Sequence, residues 1–142
     1  MAIREQYTIE KLRSYLQEVE KNEILFWAIV IKDSNKHIGN IKIDPINNIH
    51  GFAEYGIMMG EKSEWGKGYA YEASKLAINY CFSEGNLRKI NLGVVEDNAS
   101  AVNLYKKLEF LIEGVHKHHL LYDSQYLTLL RMALFNPQYT YP

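Results

Sequence analysis

The chain has 142 residues, 47% of them apolar and 23% charged, with 16 basic against 17 acidic side chains for a formal net charge of -1 and one cysteine, Cys81. That length and apolar share fit one domain, residues 1–142, with a core that buries roughly two thirds of the unfolded surface, and they exclude a disordered tract. The near balance of charge supplies no global field for nucleic acid or an anionic membrane, no apolar run approaches the ~20 residues that span a bilayer, and a lone cysteine excludes an internal disulfide.

Thr8 is placed to cap a helix running to about Lys21, with Glu10 in its first turn and Leu12, Tyr15, Leu16 and Val19 on one apolar stripe. The β-branched apolar run Ile24 to Ile31 reads as a central strand, Asp33 to Lys36 supplies turn chemistry, and His37 to Ile43 alternates as a half-buried strand, which together make a hairpin. After Asp44-Pro45 the polar stretch from Ile46 to Gly51 reads as a loop, and Phe52 to Gly60 as the next strand. A helix from about Gly68 to Glu84 stops at Gly85-Asn86, a left-handed cap by composition, with Cys81 on its apolar side. Lys89 to Val95 is a further strand, Ala101 to Leu108 a further helix, and Leu111 to Leu121 and Tyr126 to Phe135 a closing strand pair around Asp123-Ser124. The order describes a mixed sheet with helices packed on it, and the strands on either side of the Gly68 helix, joined by a crossover, are expected to be parallel.

The segment Ser63-Glu64-Trp65-Gly66-Lys67-Gly68-Tyr69-Ala70 is the most informative, because two glycines spaced by one residue stand where a strand pattern gives way to a helical one. Glycine lets the backbone bend tightly, and the following helix aims its positive end at the same spot, so an anion is expected there. The Lys-Ser/Thr end of a P-loop and the longer Gly-x-Gly-x-x-Gly fingerprint are both missing, which argues against a nucleotide-binding domain of another fold. Strand, glycine loop, helix, strand, Asn98-Ala99-Ser100, a helix carrying Tyr105, then Glu109-Phe110: over roughly residues 25 to 135 this order resembles the GNAT superfamily of acetyl-CoA-dependent N-acetyltransferases. Trp65-Gly66-Lys67-Gly68-Tyr69-Ala70 followed by Glu72-Ala73 is similar to the branch that acetylates ribosomal-protein N-termini or aminosugars.

The resemblance implies an α/β (α+β) fold with a mixed, mostly antiparallel twisted sheet, flanking helices, and a central parallel strand pair that splays apart so that acetyl-CoA lies in the gap. It implies backbone N–H groups of Trp65, Gly66, Lys67, Gly68, Tyr69 and Ala70 on the pyrophosphate, with Lys67 adding charge if its side chain turns inward. Ile57, Met58 and Met59 resemble the strip that pairs with pantetheine, an N–H of Met58 or a neighbour being the oxyanion donor, and Asn98 and Ser100 match the Asn-x-Ser that contacts the pantetheine arm. Tyr105 fits the general acid for the leaving thiolate. Glu54 is the expected general base, with His50 as its rival and water as a third choice. His116, His118 and His119 are alternate or adjacent on one strand but lack an acidic or thiol partner at a standard spacing, so no metal is expected.

Three departures stand out. Ser63 occupies the place where the family's loop usually begins with Gln or Arg, Glu109 stands where it usually has glycine and should strain or reshape the turn before Phe110, and only about two dozen residues precede the first strand where the family usually has a further strand and helix, as expected of a naturally short chain or of a fragment. The reaction implied is direct attack of an amine on acetyl-CoA in a ternary complex, the acceptor being a protein N-terminal amine or a small amine such as an aminosugar. A non-catalytic acetyl-CoA-binding or regulatory module is the alternative. With no signal-peptide pattern in the first residues and one cysteine, a cytoplasmic setting is expected, and a homodimer could complete the acceptor site.

Overall fold

The computed structural model describes residues 8–21 and 24–142. In chain order these form α1 (Ile9–Lys21), β1 (Leu25–Ile31), β2 (Lys36–Asn47), β3 (Phe52–Met58), a 3-10 turn (Lys62–Glu64), α2 (Tyr69–Ser83), β4 (Lys89–Val95), α3 (Ala99–Lys107), β5 (Leu111–Tyr122) and β6 (Gln125–Phe135). The strands make one sheet in the order β1-β2-β3-β4-β6-β5, antiparallel throughout except for β3 and β4. Those two run parallel because α2 carries the chain back across the sheet between them.

The parallel ladder is short. It joins Phe52 to Lys89, Ala53 to Ile90 and Glu54 to Asn91, although each strand is seven residues long. Beyond Glu54 and Asn91 the strands diverge, β3 staying with β2 up to Met58 and β4 with β6 up to Val95. The fold is the mixed α/β arrangement expected, with its splayed central pair.

One sheet face carries the core. Ile41, Ile43, Ala53, Tyr55, Ile90, Leu92, Val94, Leu130 and Met132 are buried there against Ala77, Ile78 and Cys81 of α2 and Val102 and Tyr105 of α3. Period-two alternation puts Lys42, Glu54, Asn91, Gly93 and Arg131 on the other face, where α1 lays Tyr15 edge-on to Phe26 (6.2 Å between ring centres) and under the Lys42 ammonium. Thr8 caps α1 as expected, its Oγ1 accepting the Lys11 N–H at 3.2 Å. The stripe itself is not a core element: Leu12 is 44% and Leu16 49% exposed. The side chain of Val19 lies outside the described residues.

Several boundaries move. β2 continues through Asp44-Pro45 to Asn47, where the sequence suggested a loop, because a bulge between Ile43 and Ile46 restores pairing of Ile46 with Ala53 and Asn47 with Phe52. β3 ends at Met58 and not Gly60. α3 starts at Ala99, two residues before the expected Ala101, since Asn98 takes the cap. At the end of α2 the left-handed residue is Asn86 (φ 51°), while Gly85 serves close approach: a Cβ there would stand 2.7 Å from the Cys81 carbonyl oxygen.

Candidate functional site

Gly66 and Gly68 both take left-handed backbone angles, φ 77° and 84°, which side chains rarely adopt. A Cβ at either position would meet nothing within 4 Å, so the glycines answer to the bend and leave open space above it. Gly68 caps α2 and its carbonyl accepts the Glu72 N–H at 3.1 Å, leaving the N–H groups of Tyr69, Ala70 and Tyr71 without an acceptor inside the helix. The loop is pinned from below, where the Trp65 indole donates to the Met59 carbonyl at 2.9 Å. Lys67 does not turn inward. Its ammonium donates to Glu64 Oε2 at 2.8 Å; this hydrogen bond holds Lys67 above its usual range and, with a second from Lys36, holds the Glu64 carboxyl below its own. Ser63 donates to Glu61 Oε1 at 2.9 Å.

Next to this loop is the gap between β3 and β4. From Tyr55 to Met58 the β3 edge facing β4 has no partner in the ladder, which makes Ile57 and Met58 available for pairing with an extended ligand; Met59 follows the strand's end. Across the gap, Asn98 caps α3 by accepting the Ala101 N–H at 3.3 Å, and Ser100 donates to the same Oδ1 at 3.2 Å. The expected pantetheine contacts of these two residues therefore compete with capping, although both side chains are exposed.

Tyr105 sits under the gap on the helix-covered face, 7% exposed, with Tyr55 at 6.2 Å and Phe110 at 5.9 Å between ring centres. Burial pushes its phenol above 10, so it stays a proton donor at neutral pH. Burial likewise raises Tyr55, whose hydroxyl shares a 2.5 Å hydrogen bond with Ser74. Glu109 adopts φ 73° and completes a Schellman turn: its N–H donates to the Lys106 carbonyl and that of Phe110 to the Tyr105 carbonyl, both at 2.9 Å. The strain expected at Glu109 is thus present, and the turn it makes places Phe110 against Tyr105.

Glu54 is the last residue of β3 paired with β4, so its carboxylate stands at the vertex of the gap on the face opposite Tyr105. Arg131 of β6 donates to it from two strands away, a contact the sequence did not anticipate. A single arginine inside the apolar run Leu129 to Leu134 was the available signal. His50 is exposed in the turn after β2, its ring stacked on Phe52 at 6.1 Å and its carbonyl accepting from Arg88 at 2.6 Å. On β5 a bulge between His116 and Leu120 breaks alternation, bringing His116 and His119 to 4.8 Å while His118 takes φ 50°. Among the described residues no group of three or more His, Cys, Asp or Glu could hold a metal ion.

Comparison with known proteins shows the family of this chain. The family model for the acetyltransferase (GNAT) domain matches residues 1–111. The chain belongs to the GNAT acetyltransferase family. A spermidine N(1)-acetyltransferase of Escherichia coli is 36% identical over 110 residues, which is 78% of this chain and 59% of that protein. The chain therefore spans less than two thirds of the length of that relative. Among solved structures, a chimera of the Vibrio cholerae spermidine N-acetyltransferase superposes with a TM-score of 0.85 at 28% identity, covering 95% of this chain and 82% of its own. A ribosomal-protein alanine acetyltransferase from Vibrio fischeri shares the fold at a TM-score of 0.79 and 22% identity, covering 92% and 73%. GNAT acetyltransferases use acetyl-CoA as co-substrate, and the residues here fit it: an open glycine bend with free helix N–H groups for a pyrophosphate, and an unpaired strand edge for an extended arm. Among the described residues no helix is long and apolar enough to cross a membrane.

Proposed function

We propose that this chain transfers the acetyl group of acetyl-CoA to a primary amine, and that the acceptor is a small cationic amine of the polyamine kind. The observation that carries the reading is the gap that opens at Glu54 and Asn91, flanked by the glycine bend on one side and by Tyr105 beneath. The polyamine class draws support from the relatives named for spermidine, and a protein N-terminus or an aminosugar is kept as a test arm.

In this reading the backbone of Trp65 to Ala70 binds the pyrophosphate, the β3 edge at Ile57 and Met58 orients the pantetheine arm and supplies an N–H to the developing oxyanion, and acetyl-CoA supplies the activated thioester. The exposed side chains of Asn98 and Ser100 flank the far side of that arm. Glu54 accepts the proton of the incoming ammonium from one sheet face. The free amine forms the new C–N bond as the C–S bond breaks, Tyr105 donates its phenolic proton to the departing thiolate from the other face, and the acylated nitrogen loses its second proton to solvent. Glu54 then releases its proton and Tyr105 regains one, so an ammonium and a thioester become an amide, a free thiol and one released proton.

The engagement of Glu54 by Arg131 is the observation that favours a second reading, a non-catalytic acetyl-CoA-binding module. Calorimetry with acetyl-CoA followed by thiol release across polyamines, aminosugars and N-terminal peptides separates the two. Turnover with polyamines is the expected result; binding without turnover for every amine would establish the module instead. A homodimer completing the acceptor site and a cytoplasmic location accompany this proposal, the first to be checked by light scattering.

A further inference from the structure

Arg131 leaves β6, crosses the whole width of β4 and ends on Glu54 of β3. Neighbouring strands lie roughly 4.8 Å apart, so the side chain is fully committed to this crossing. It passes over Gly93, its own register partner, where a Cβ would stand 3.1 Å from Arg131 Nη1. Glycine at that position keeps the path clear. Both ends are half-buried, with side-chain exposures of 33% for Arg131 and 32% for Glu54, and a guanidinium committed in this way blocks the one carboxylate at the vertex.

Asn91 lies between them. It pairs directly with Glu54 across the parallel ladder and is a diagonal neighbour of Arg131 across the antiparallel one, a separation of roughly 7–8 Å that long side chains bridge. Its Oδ1 is buried and has no hydrogen-bond partner among the described residues. A buried acceptor left unmet is unfavourable, and its register brings the guanidinium now held by Glu54 within reach of it. Other charges on this face are already engaged: Lys42 with Asp44 at 3.4 Å and Lys89 with Glu113 at 2.7 Å.

We propose that Arg131 is an internal counter-cation with two resting places, Glu54 when no acceptor is bound and Asn91 Oδ1 when a cationic amine takes the carboxylate. This rests on the reading of Glu54 as the group that receives the acceptor amine. An incoming ammonium then exchanges one ion pair for another, so every amine binds against the Arg131–Glu54 pair and by the same factor. Arg131 in this sense sets the affinity of the acceptor site.

The test uses the full chain, spermidine and n-butylamine as probes, thiol-release KM and kcat, and amine affinity by calorimetry so that binding is read even where turnover is slow. Because the apparent affinity of a ligand is reduced by the fraction of its competent state, Arg131→Gln should lower the KM and Kd of both amines about 5-fold or more while kcat changes less. Gly93→Ala, which crowds the guanidinium while leaving Arg131 and Glu54 in place, should move affinity the same way and covers the case in which Arg131→Gln does not fold. Asn91→Leu should weaken spermidine binding about 5-fold when Arg131 is present and not when it is Gln, a non-additivity that a packing defect would not produce. Weaker binding of both amines in Arg131→Gln and Gly93→Ala, or an Asn91→Leu effect that persists without Arg131, overturns the proposal. Glu54→Gln at full rate would instead remove the base reading; a slow Glu54→Gln beside unchanged amine affinity in Arg131→Gln removes the counter-cation alone.

Discussion

On the face covered by α2 and α3, β3 turns Ala53 and Tyr55 into a closed apolar core, whereas one residue away on the opposite face it turns Glu54 toward Arg131 in a half-buried ion pair. The first face raises the phenol of Tyr105 by burial and so keeps it a proton donor. The second keeps a carboxylate that can take a proton or a cation. Period-two alternation in β3 thus sets the Glu54 carboxylate on the face opposite the one where α3 holds Tyr105, which is the separation that the proposed attack from one side and departure to the other require.

The sharpest way to break this contrast is to silence each face in turn. Glu54→Gln should slow acetyl transfer roughly 10²-fold with acetyl-CoA affinity nearly unchanged, and the defect should shrink as pH rises and more amine arrives neutral. Tyr105→Phe should also lose turnover, but its defect should persist on the alkaline side. Since burial raises the phenol, the wild-type rate should not fall through tyrosine ionisation until pH exceeds 10. A rate–pH series on both variants checks the pair; a Glu54→Gln protein active across pH 6 to 9 beside a slow His50 variant would hand the base role to His50.

The gap's cofactor side is tested by Gly68→Val. Position 68 needs φ 84° and open space above it, so the variant should weaken acetyl-CoA binding by at least ~2 kcal/mol while a folded protein remains, as read by calorimetry and far-UV dichroism. Unchanged affinity would remove the cofactor assignment.

Smaller effects probe the support beneath Tyr105. Glu109→Gly should relieve the left-handed angle at φ 73° and raise stability by about 1 kcal/mol in urea melts, because glycine takes that region without a Cβ clash. The Schellman turn predicts no loss of activity with it.

A last effect appears only in alkali. Burial pushes the Cys81 thiol up to about 11 from its ordinary 9.0, so the unfolded chain releases this proton first as pH rises. Its contribution to stability is whole below pH 9 and fades as pH climbs toward about 11. Melting temperature should therefore decline less steeply between those limits in Cys81→Ala than in the wild type, whatever the variant's lower starting point.

Alternation and punctuation carried most of the fold in the sequence itself. The helix and strand order, the crossover that makes β3 and β4 parallel, the bend at Gly66 and Gly68 and the left-handed demand on Glu109 are local properties of neighbouring residues, and local propensity specifies them. The continuation of β2 past Pro45 was not legible, because a bulge is defined by the partner strand and not by the strand that carries it. Lys67 adds charge at the phosphate only if its side chain turns inward, and its contact with Glu64, three residues back, was not legible in the sequence. The link from Arg131 to Glu54 spans 77 positions and depends on a glycine in a strand between them, so only the assembled sheet could decide that the expected base has a cation already beside it. Sequence determines which residues alternate and where the chain must bend; which side chains meet across three strands is set by register, and register exists only once the strands have paired.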